Sequence, residues 1–364
     1  MIYIGLLLVL IVVIAAIFIN TSPQFGGPAS DEKIAGYKAS PNYKEGIFHN
    51  EETISLDMSM SDMGKAMIGY FRTNPKTRPE NDIAVLKADS TEISQYQAET
   101  RMIWFGHSTF LLQMNKKNIL IDPMFGDVPA PHPMLGGKRF SSELPIEVER
   151  LPKIDVVVLS HDHYDHLDYE SILKLKDKVE IFYVPLGLSG HLLKWGVAPE
   201  RVIEFDWWDE IELDGLKFVC TPAQHFSGRG ISDRTKTLWA SWIIQSDTEN
   251  IFFSGDSGYS KHFKEIGEKY GPFDFAMLEC GQYNDKWKAI HMVPEETAQA
   301  ALDLKAKTMM PIHWGAFKLS EHGWTEPVDR VTKKAKELKV DVKVPRIGEE
   351  IIITEHDLPI VRWW

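Results

Sequence analysis

Cysteine is scarce in this sequence, with Cys220 and Cys280 the only two among 364 residues. Because no Cys-x-x-Cys spacing occurs, a zinc site built from thiolates is not expected, and the redox compartment stays open. The sequence also lacks a Gly-x-Ser-x-Gly segment, the sharp turn that presents the nucleophile of many serine hydrolases. Neither a thiolate metal site nor a serine nucleophile is therefore indicated.

Basic residues are also in short supply: 40 Lys and Arg stand against 52 Asp and Glu, for a formal net charge of −12. Binding along a phosphate backbone requires a basic surface, so this charge argues against a nucleic-acid partner. A small phosphorylated substrate remains compatible if bound cations supply a local positive field. The 44% hydrophobic and 25% charged residues are typical of a folded protein with a substantial core.

The first 19 residues contain no charged side chain and consist mostly of Ile, Leu, Val and Ala. A helix of this length extends about 30 Å, enough to cross a bilayer. The pattern predicts a single-pass membrane anchor over residues 1–20. A cleaved signal peptide is the alternative, but it normally has Lys or Arg before its apolar core and a small-x-small site after it.

Three lysines follow the predicted anchor, at Lys33, Lys38 and Lys44, and no Lys or Arg precedes it. Because basic residues flank membrane spans on the cytoplasmic side, this distribution favours a cytoplasmic catalytic domain. The lysines are widely spaced, so the side of the membrane is left open.

Residues 21–95 are expected to form a linker and an N-terminal helical extension. Residues 21–40 are rich in Pro, Gly, Ser and charge, which is typical of a linker. Further on, apolar residues at four- and three-residue steps predict one helix face: Leu56, Met60, Met63, Met67 and Tyr70. This face either packs on the catalytic domain, residues 96–364, or forms a soft surface that dips into lipid or lines an acyl-chain entrance.

A short run after an apolar strand contains four metal-binding side chains in the pattern His-x-His-x-Asp-His: His161, His163, Asp165 and His166. Imidazole nitrogen and carboxylate oxygen bind zinc at about 2.0–2.2 Å. No single regular element aims four such groups at one point, whereas a tight loop at a strand end can. The two intervening residues, Asp162 and Tyr164, are expected to be structural rather than ligands.

Four apolar runs, each typical of a buried strand, end within a few residues of a His or Asp. One of them begins at Asp214-Gly215, which predicts a two-residue hairpin turn. The runs and the side chains that they deliver are residues 154–159 with His161, residues 216–220 with His225, residues 251–255 with Asp256, and residues 308–312 with His313. Together with helical segments after Asp168, after Pro294 and over residues 328–338, this alternation predicts an αββα sandwich of two mixed sheets.

Five histidines and two aspartates exceed what one tetrahedral ion needs. They suit two zinc ions about 3.5–4 Å apart, with a bridging carboxylate and a hydroxide between the ions. We expect the first ion on His161, His163 and His225 and the second on Asp165, His166 and His313, with Asp256 bridging.

These motifs resemble the metallo-β-lactamase-fold hydrolases, through His161 to His166, His225, Gly255-Asp256-Ser257-Gly258 and Pro311-Ile312-His313-Trp314-Gly315. Further strings resemble, in the same order, the N-acyl-phosphatidylethanolamine-hydrolysing phospholipase D enzymes. They are Trp104-Phe105-Gly106-His107-Ser108, Asp122-Pro123, Gly137-Lys138-Arg139-Phe140, residues 184–188, Asp206-Trp207-Trp208, residues 221–226, residues 270–274 and Pro294-Glu295-Glu296. The resemblance extends from about Trp104 to about Trp324. The family's Gln-His pair is Ile290-His291 here.

The resemblance implies a membrane-associated, zinc-dependent phosphodiesterase that releases phosphatidic acid and an N-acylethanolamine from a phospholipid, through hydroxide bound to the metal. Asp165 and Asp256 would act through the metal, and His107 and His291 would contact phosphate or carry a proton to the leaving group. Phosphate steering is an alternative to a solvated surface role for four cations: Lys138, Arg139, Arg229 and Arg234. A metal-dependent lactonase or carboxylic ester hydrolase is the alternative activity. Phospholipid and membrane are the expected partners, and a homodimer is left open.

Overall fold

The computed structural model describes residues 2–54, 75–96, 99–355 and 360–364. The helix face predicted from Leu56 to Tyr70 lies outside these residues. A first helix, α1, spans Ile2–Thr21, and nearly all its side chains are exposed. It is long and apolar enough to cross a membrane, and its use as a membrane anchor stays a prediction.

Two seven-stranded mixed sheets form the centre of the molecule. A small hairpin precedes them, made of β1 (Tyr43–Lys44) and β2 (Ile47–Phe48). The strands of the two large sheets are β3 (Arg101–Trp104), β4 (Phe110–Met114), β5 (Lys117–Ile121), β6 (Ile154–Val158), β7 (Val179–Pro185), β8 (Val202–Phe205), β9 (Glu210–Leu213), β10 (Leu216–Thr221), β11 (Ser241–Gln245), β12 (Asn250–Phe253), β13 (Phe273–Glu279), β14 (Ala306–Ile312), β15 (Asp341–Val342) and β16 (Glu350–Ile352). The first sheet has the strand order β16-β3-β4-β5-β6-β7-β8, and the second has the order β15-β14-β13-β12-β11-β10-β9.

In each sheet one half is antiparallel and the other parallel. Strands β5 to β8 pair in parallel, as do β12 to β15, and the remaining pairs are antiparallel. Within the described residues the other α-helices are α2 (Asp31–Tyr37), α3 (Ser90–Ser94), α4 (Tyr169–Leu175), α5 (Ser189–Lys194), α6 (His262–Lys269), α7 (Pro294–Asp303) and α8 (Glu326–Leu338). Because the carboxyl ends of parallel strands meet at one edge of a sheet, side chains that follow β6, β12 and β14 are brought to the same rim.

The core between the sheets follows the two-residue period of a strand. Phe110 and Leu112 of β4 belong to the cluster that fills the space between the sheets, whereas Leu111 packs with α4 and α5 on the outer face. Aromatic pairs join the sheets, for example Tyr183 with Phe218, whose ring centroids lie 5.0 Å apart. The helices cover both outer faces, and the predicted αββα sandwich is confirmed.

The sequence-based elements agree with the structure to within a few residues. The four predicted strands correspond to β6, β10, β12 and β14. The Asp168 carboxylate accepts a hydrogen bond from the Ser171 backbone N–H and caps α4, which satisfies an otherwise unpaired donor of the first turn. Asp214 and Gly215 form the two-residue turn between β9 and β10, both with positive φ, as a type I′ turn requires.

The segment predicted to be a linker packs closely on the catalytic domain. Trp195 Nε1 donates to Pro23 O at 2.7 Å, and the Gly27 N–H donates to His191 Nδ1 at 3.1 Å. Gly26 has a φ of 69°, and a Cβ there would lie 2.0 Å from His191 Nδ1, so only glycine fits. The prolines and glycines of this segment thus lie in a connection that packs tightly on the catalytic domain. The boundary of the catalytic domain at residue 96 stays a prediction.

Tyr37 attaches the same segment to the first sheet. Its hydroxyl donates to the Glu204 carboxylate at 2.9 Å, and Lys33 Nζ lies 3.1 Å from that carboxylate. Burial and the neighbouring Glu204 charge raise the pKa of Tyr37, so the hydroxyl keeps its proton and remains a donor.

Replacing Tyr37 by Phe should lower the free energy of unfolding by about 1–2 kcal/mol, because a hydrogen bond to a buried carboxylate is lost without a change of shape. Urea denaturation of the two proteins measures this difference. Tyr43→Phe is the matched control, because Tyr43 packs beside Tyr37 and its hydroxyl makes no hydrogen bond within the described residues. Equal stability of Tyr37→Phe and wild type would contradict the assigned role.

Candidate metal centre

The loop after β6 is held rigidly by buried hydrogen bonds around Asp162. The Asp162 carboxylate accepts from the Gly228 N–H at 2.7 Å and from Thr237 Oγ1 at 2.9 Å, and it lies 3.2 Å from His191 Nε2. Arg229 donates to the Asp162 carbonyl at 2.6 Å. Asp162 therefore faces away from the other motif residues, in the structural role expected for it.

The first group of ligand atoms comes from both sheets and comprises His161, His163, His225 and Asp256. His163 Nδ1 lies 2.9 Å from His161 Nε2 and 3.1 Å from His225 Nε2. Asp256 Oδ2 lies 3.7 Å and 3.8 Å from the same two Nε2 atoms. Ligand atoms about 2.0–2.2 Å from one tetrahedral ion lie roughly 3.3–3.6 Å apart, so the spacing fits a single metal ion.

In His161 and His225, a hydrogen bond at Nδ1 leaves the Nε2 nitrogen free to bind a metal. The Ser160 hydroxyl donates to Asp122 Oδ2 at 2.5 Å, so its oxygen accepts the N–H of His161 Nδ1 at 2.9 Å. His225 Nδ1 donates to the Ile290 carbonyl at 3.0 Å. With both protons at Nδ1, the Nε2 lone pairs face the shared point.

The second group contains the predicted Asp165, His166 and His313, and it adds His107. His166 Nδ1 donates to Asp122 Oδ2 at 2.7 Å, which directs its Nε2 towards Asp165 Oδ2 at 3.4 Å and Asp256 Oδ1 at 3.2 Å. His313 Nδ1 lies 2.9 Å from Asp256 Oδ1. The two oxygens of Asp256 thus face different groups, as a bridging ligand requires.

Unpaired buried atoms support the fit of a second ion. Within the described part of the chain, His166 Nε2 and Asp256 Oδ1 are buried without a hydrogen-bond partner, although they face each other. An unsatisfied buried polar atom is costly and requires an explanation. A divalent cation bound by both atoms supplies one, and the donors (imidazole nitrogen and carboxylate oxygen) suit zinc and other transition metals.

The protonation states suit metal binding. Burial lowers the pKa of His161 and His225 well below the usual range of histidine, so both rings are neutral at pH 7. Burial opposes ionisation of Asp165 and Asp256, but the charge of His166 outweighs it and holds the pKa of both carboxylates well below their usual range. Those carboxylates in turn raise the pKa of His166 despite its burial, so metal binding should release its proton.

His107 is not among the residues that line the cavity above the two groups. Its side chain is completely buried behind the second group, and its Nε2 lies 2.8 Å from Asp165 Oδ2. Its φ of 56° is unusual for a residue with a side chain. His107 thus contacts Asp165 and belongs to the second group of ligand atoms, and its predicted contact with substrate phosphate stays a prediction.

His291 does reach the cavity, and a residue that the sequence analysis missed orients it. Glu279 Oε2 lies 2.8 Å from His291 Nδ1, so the Nε2 atom is directed away from the carboxylate. Glu279 also accepts from the Met292 and Ser257 backbone N–H groups at 3.0 and 3.1 Å. It is the last residue of β13, so the rule applied to four other strand ends would have found it.

Asp122 is the other missed residue. It follows β5 directly, is completely buried, and accepts from Ser160 N–H, Ser160 Oγ and His166 Nδ1. Asp122 therefore supports one ligand of each metal group. It contacts His166 directly, and it contacts Ser160, which in turn contacts His161. In the sequence, Asp122-Pro123 is one of the segments that resemble the phospholipase D family, but the resemblance alone gives Asp122 no role.

The four candidate phosphate-steering cations differ in position. Arg139 and Arg229 are buried and donate to backbone carbonyls, including Met124 O and Leu167 O, so a phosphate contact is wrong for both. Lys138 is exposed. Arg234 lines the cavity beside the metal groups, with its guanidinium 4.8 Å from the centre of the Phe226 ring.

The cavity above the two groups has a volume of about 370 Å³. Its floor contains members of both groups and His291, and its polar wall contains Gln282 and Arg234. The remaining wall is apolar and consists of Phe226, Trp287, Ile290 and Leu319. A substrate with an anionic centre and an apolar part fits this division.

Comparisons with known proteins agree with this picture. Residues 117–314 match the model of the beta-lactamase superfamily domain. An uncharacterized protein of Mycobacterium tuberculosis is 38% identical over 331 residues, which cover 89% of this chain and 87% of that protein. N-acyl-phosphatidylethanolamine-hydrolyzing phospholipase D 1 of Caenorhabditis elegans is 32% identical over 254 residues, 66% of this chain and 70% of that enzyme. An isothiocyanate hydrolase from Delia radicum gut bacteria has a similar fold, with a TM-score of 0.55 at 21% identity, covering 69% of this chain and 98% of that one.

Replacing Asp256 by Asn removes the carboxylate that faces both groups and should eliminate hydrolysis. His163→Ala removes a ligand of the first group alone, so we expect about two bound ions in the wild type and about one in this variant. Elemental analysis and turnover of an aryl phosphodiester measure both effects. His132→Ala, an exposed histidine outside the site, should match wild type. Normal metal content and turnover in Asp256→Asn would refute the assignment.

Asp122→Asn should weaken metal binding by about 10–100-fold, because an amide cannot accept from Ser160 and His166 as a carboxylate does. Titration with a competing chelator measures the affinity, and the melting temperature reports whether the fold persists. Asp127→Asn, an exposed position five residues away, is the matched control. An unchanged affinity in a folded Asp122→Asn protein would contradict the bracing role of this residue.

Proposed function

Because this chain belongs to the metallo-β-lactamase superfamily of metal-dependent hydrolases, as its sequence resemblance predicted, we propose that it is a membrane-associated phosphodiesterase. Its substrates would be phospholipids like N-acyl-phosphatidylethanolamine, and its products phosphatidic acid and an N-acylethanolamine. One observation carries the proposal: two adjacent groups of metal ligands form the floor of a cavity that has one arginine and otherwise mostly apolar walls.

The first group, with His161, His163 and His225, would hold one zinc ion, and the second, with Asp165, His166 and His313, would hold another. Asp256 would be shared. When bound, such a pair of ions lowers the pKa of water to about 7 and stabilises charge on the attacked phosphoryl group. The neutral rings of His161 and His225 and the charged carboxylates of Asp165 and Asp256 are the states that this binding requires, whereas His166 would lose a proton on binding.

His291 is placed to move a proton at the leaving oxygen. Its Nδ1 is held by Glu279, so the Nε2 atom is available at the cavity floor. The ring can take a proton from the attacking water and transfer it to the departing alkoxide of the N-acylethanolamine. Glu279 holds the ring in one orientation during both steps, as an aspartate does in a catalytic triad.

The remaining wall supplies recognition. Arg234 lines the cavity and can donate to a phosphate oxygen through its forked guanidinium. Phe226, Trp287 and Leu319 offer apolar contact to an acyl chain. Helix α1, with a mean hydropathy of 2.9 over residues 3–21, would anchor the chain in the bilayer that contains the substrate. The lysines after it favour a cytoplasmic catalytic domain.

Incubating the purified full chain with a phospholipid panel tests the proposal, with products resolved by mass spectrometry. We expect head-group release from N-acyl-phosphatidylethanolamine, its loss after chelation, and its recovery on addition of zinc. His291→Gln should retain its metal and lower kcat by about 10²–10⁴-fold, the usual contribution of general acid–base catalysis. Lactones in the same panel test the alternative lactonase activity. Turnover of lactones while phosphodiesters stay intact would overturn the phospholipase assignment.

A further inference from the structure

Large apolar side chains that are strongly exposed are rare outside α1. Among the described residues beyond that helix, only Met134, Leu135, Ile231 and Val361 are more than 60% exposed. The first three lie at the tips of two loops, residues 132–135 and residues 230–234. We call these the contact loops. Exposing an apolar tip to water is unfavourable, and such tips commonly mark a surface that binds something.

The first contact loop lies beside the end of α1. The ring of His132 is 6.0 Å from the ring of Phe18, centre to centre. Phe18 precedes the last residue of α1 by three positions, about 4.5 Å along the helix axis. Met134 and Leu135 follow in a short 3₁₀ turn whose first N–H donates to His132 Nδ1. If α1 crosses a bilayer, this loop lies at the level of its boundary.

The second contact loop is attached to the residues that follow α1. Arg229 Nε donates to the Gln24 carbonyl at 2.8 Å, and Tyr164 donates to the Arg229 carbonyl at 2.7 Å. The Tyr164 ring packs edge-on against Phe25. Ile231 is two residues beyond Arg229 and 81% exposed. Both loop tips therefore lie near the point where α1 enters the catalytic domain.

The charges around the loops favour a lipid surface. Lys138, Arg234 and Lys236 are exposed in or beside the contact loops, although the whole chain has a net charge of −12. The Asp233 carboxylate accepts hydrogen bonds from the backbone N–H groups of Arg229 and Gly230. Apolar side chains next to basic ones are the combination that binds the headgroup region of a bilayer with anionic lipids.

We propose that both contact loops insert into the headgroup layer of the bilayer that holds α1, and that this insertion brings the mouth of the metal cavity against the lipid surface. Arg234 belongs to the second loop and lines the cavity together with Phe226. A phospholipid can therefore reach the metal groups without leaving the membrane. The proposal rests on the membrane association assigned above, and not on the identity of the hydrolysed lipid.

Variants of the full chain with one added cysteine test the proposal. Met134→Cys and Ile231→Cys are labelled with an environment-sensitive fluorophore, and the native Cys220 and Cys280 are completely buried and so protected from the reagent. The labelled proteins are reconstituted into vesicles of phosphatidylethanolamine and phosphatidylglycerol. Lipids with a spin label near the headgroup then quench any fluorophore that lies in the interface.

Leu302→Cys is the matched control. Leu302 is an exposed leucine in the last turn of α7, which leads into the start of β14. Because β14 is seven residues long and ends beside His313, Leu302 lies about 20 Å from the site end of the molecule. All three labelled proteins should keep the metal content of the wild type.

We expect labels at positions 134 and 231 to be quenched about twofold or more by interfacial spin labels and to emit at shorter wavelength, and the label at 302 to be unaffected. Equal, weak quenching at all three positions in vesicle-bound protein would overturn the insertion and leave the proposed hydrolysis untouched. A chain that does not float with the vesicles would overturn it as well. Quenching without any phospholipid turnover would support the insertion while the proposed substrate fails.

Discussion

The buried carboxylate of Asp256 is the constraint on which the structure depends most. An ionised carboxylate without solvent is stable only beside compensating charge or a metal, and the cost of leaving it unpaired is several kcal/mol. Its two oxygens face ligands delivered by both sheets: His161 and His166 from the first, His225 and His313 from the second. The sandwich must therefore close with its strand ends in one plane.

Contacts between the sheets near the site provide this closure. Trp242 Nε1 donates to the Leu159 carbonyl, and the Ala240 N–H donates to Ser160, at 2.9 Å in each case. These bonds join the second sheet to the residues that immediately precede the metal loop. Asp122 then holds the outer nitrogen of His166, and Glu279 holds that of His291, so the same buried network sets both the orientation and the position of these rings.

The N-terminal segment connects this network to the surface. Gly27 contacts His191, and His191 contacts Asp162 inside the metal loop, so the residues after α1 and the ligands belong to one hydrogen-bonded chain of contacts. An anchored chain of this kind would hold its cavity in a constant orientation to the bilayer. The polar floor and the largely apolar walls of the cavity match the two parts of the proposed phospholipid substrate.

The seven metal-ligand candidates and the fold class could be predicted from the sequence, because both depend on local patterns. Strand-length apolar runs and the residue types that follow them are local properties, and imidazole and carboxylate chemistry belongs to the residue itself. The sequence does not show that residues 23–37 pack on the catalytic domain, because proline and glycine occur in tightly packed connections as well as in loose ones. The burial of Arg139 and Arg229 was equally hidden, since an isolated arginine in a loop normally remains solvated.

What only the tertiary structure decided is which atoms face one another. The pairing of Asp122 with His166, of Glu279 with His291 and of His107 with Asp165 joins residues that are 12–58 positions apart. No local pattern determines such contacts, because they arise when two sheets pack and their loops converge. The sequence by itself determined the chemistry available to this protein, whereas the closure of the sandwich determined the geometry in which that chemistry is used.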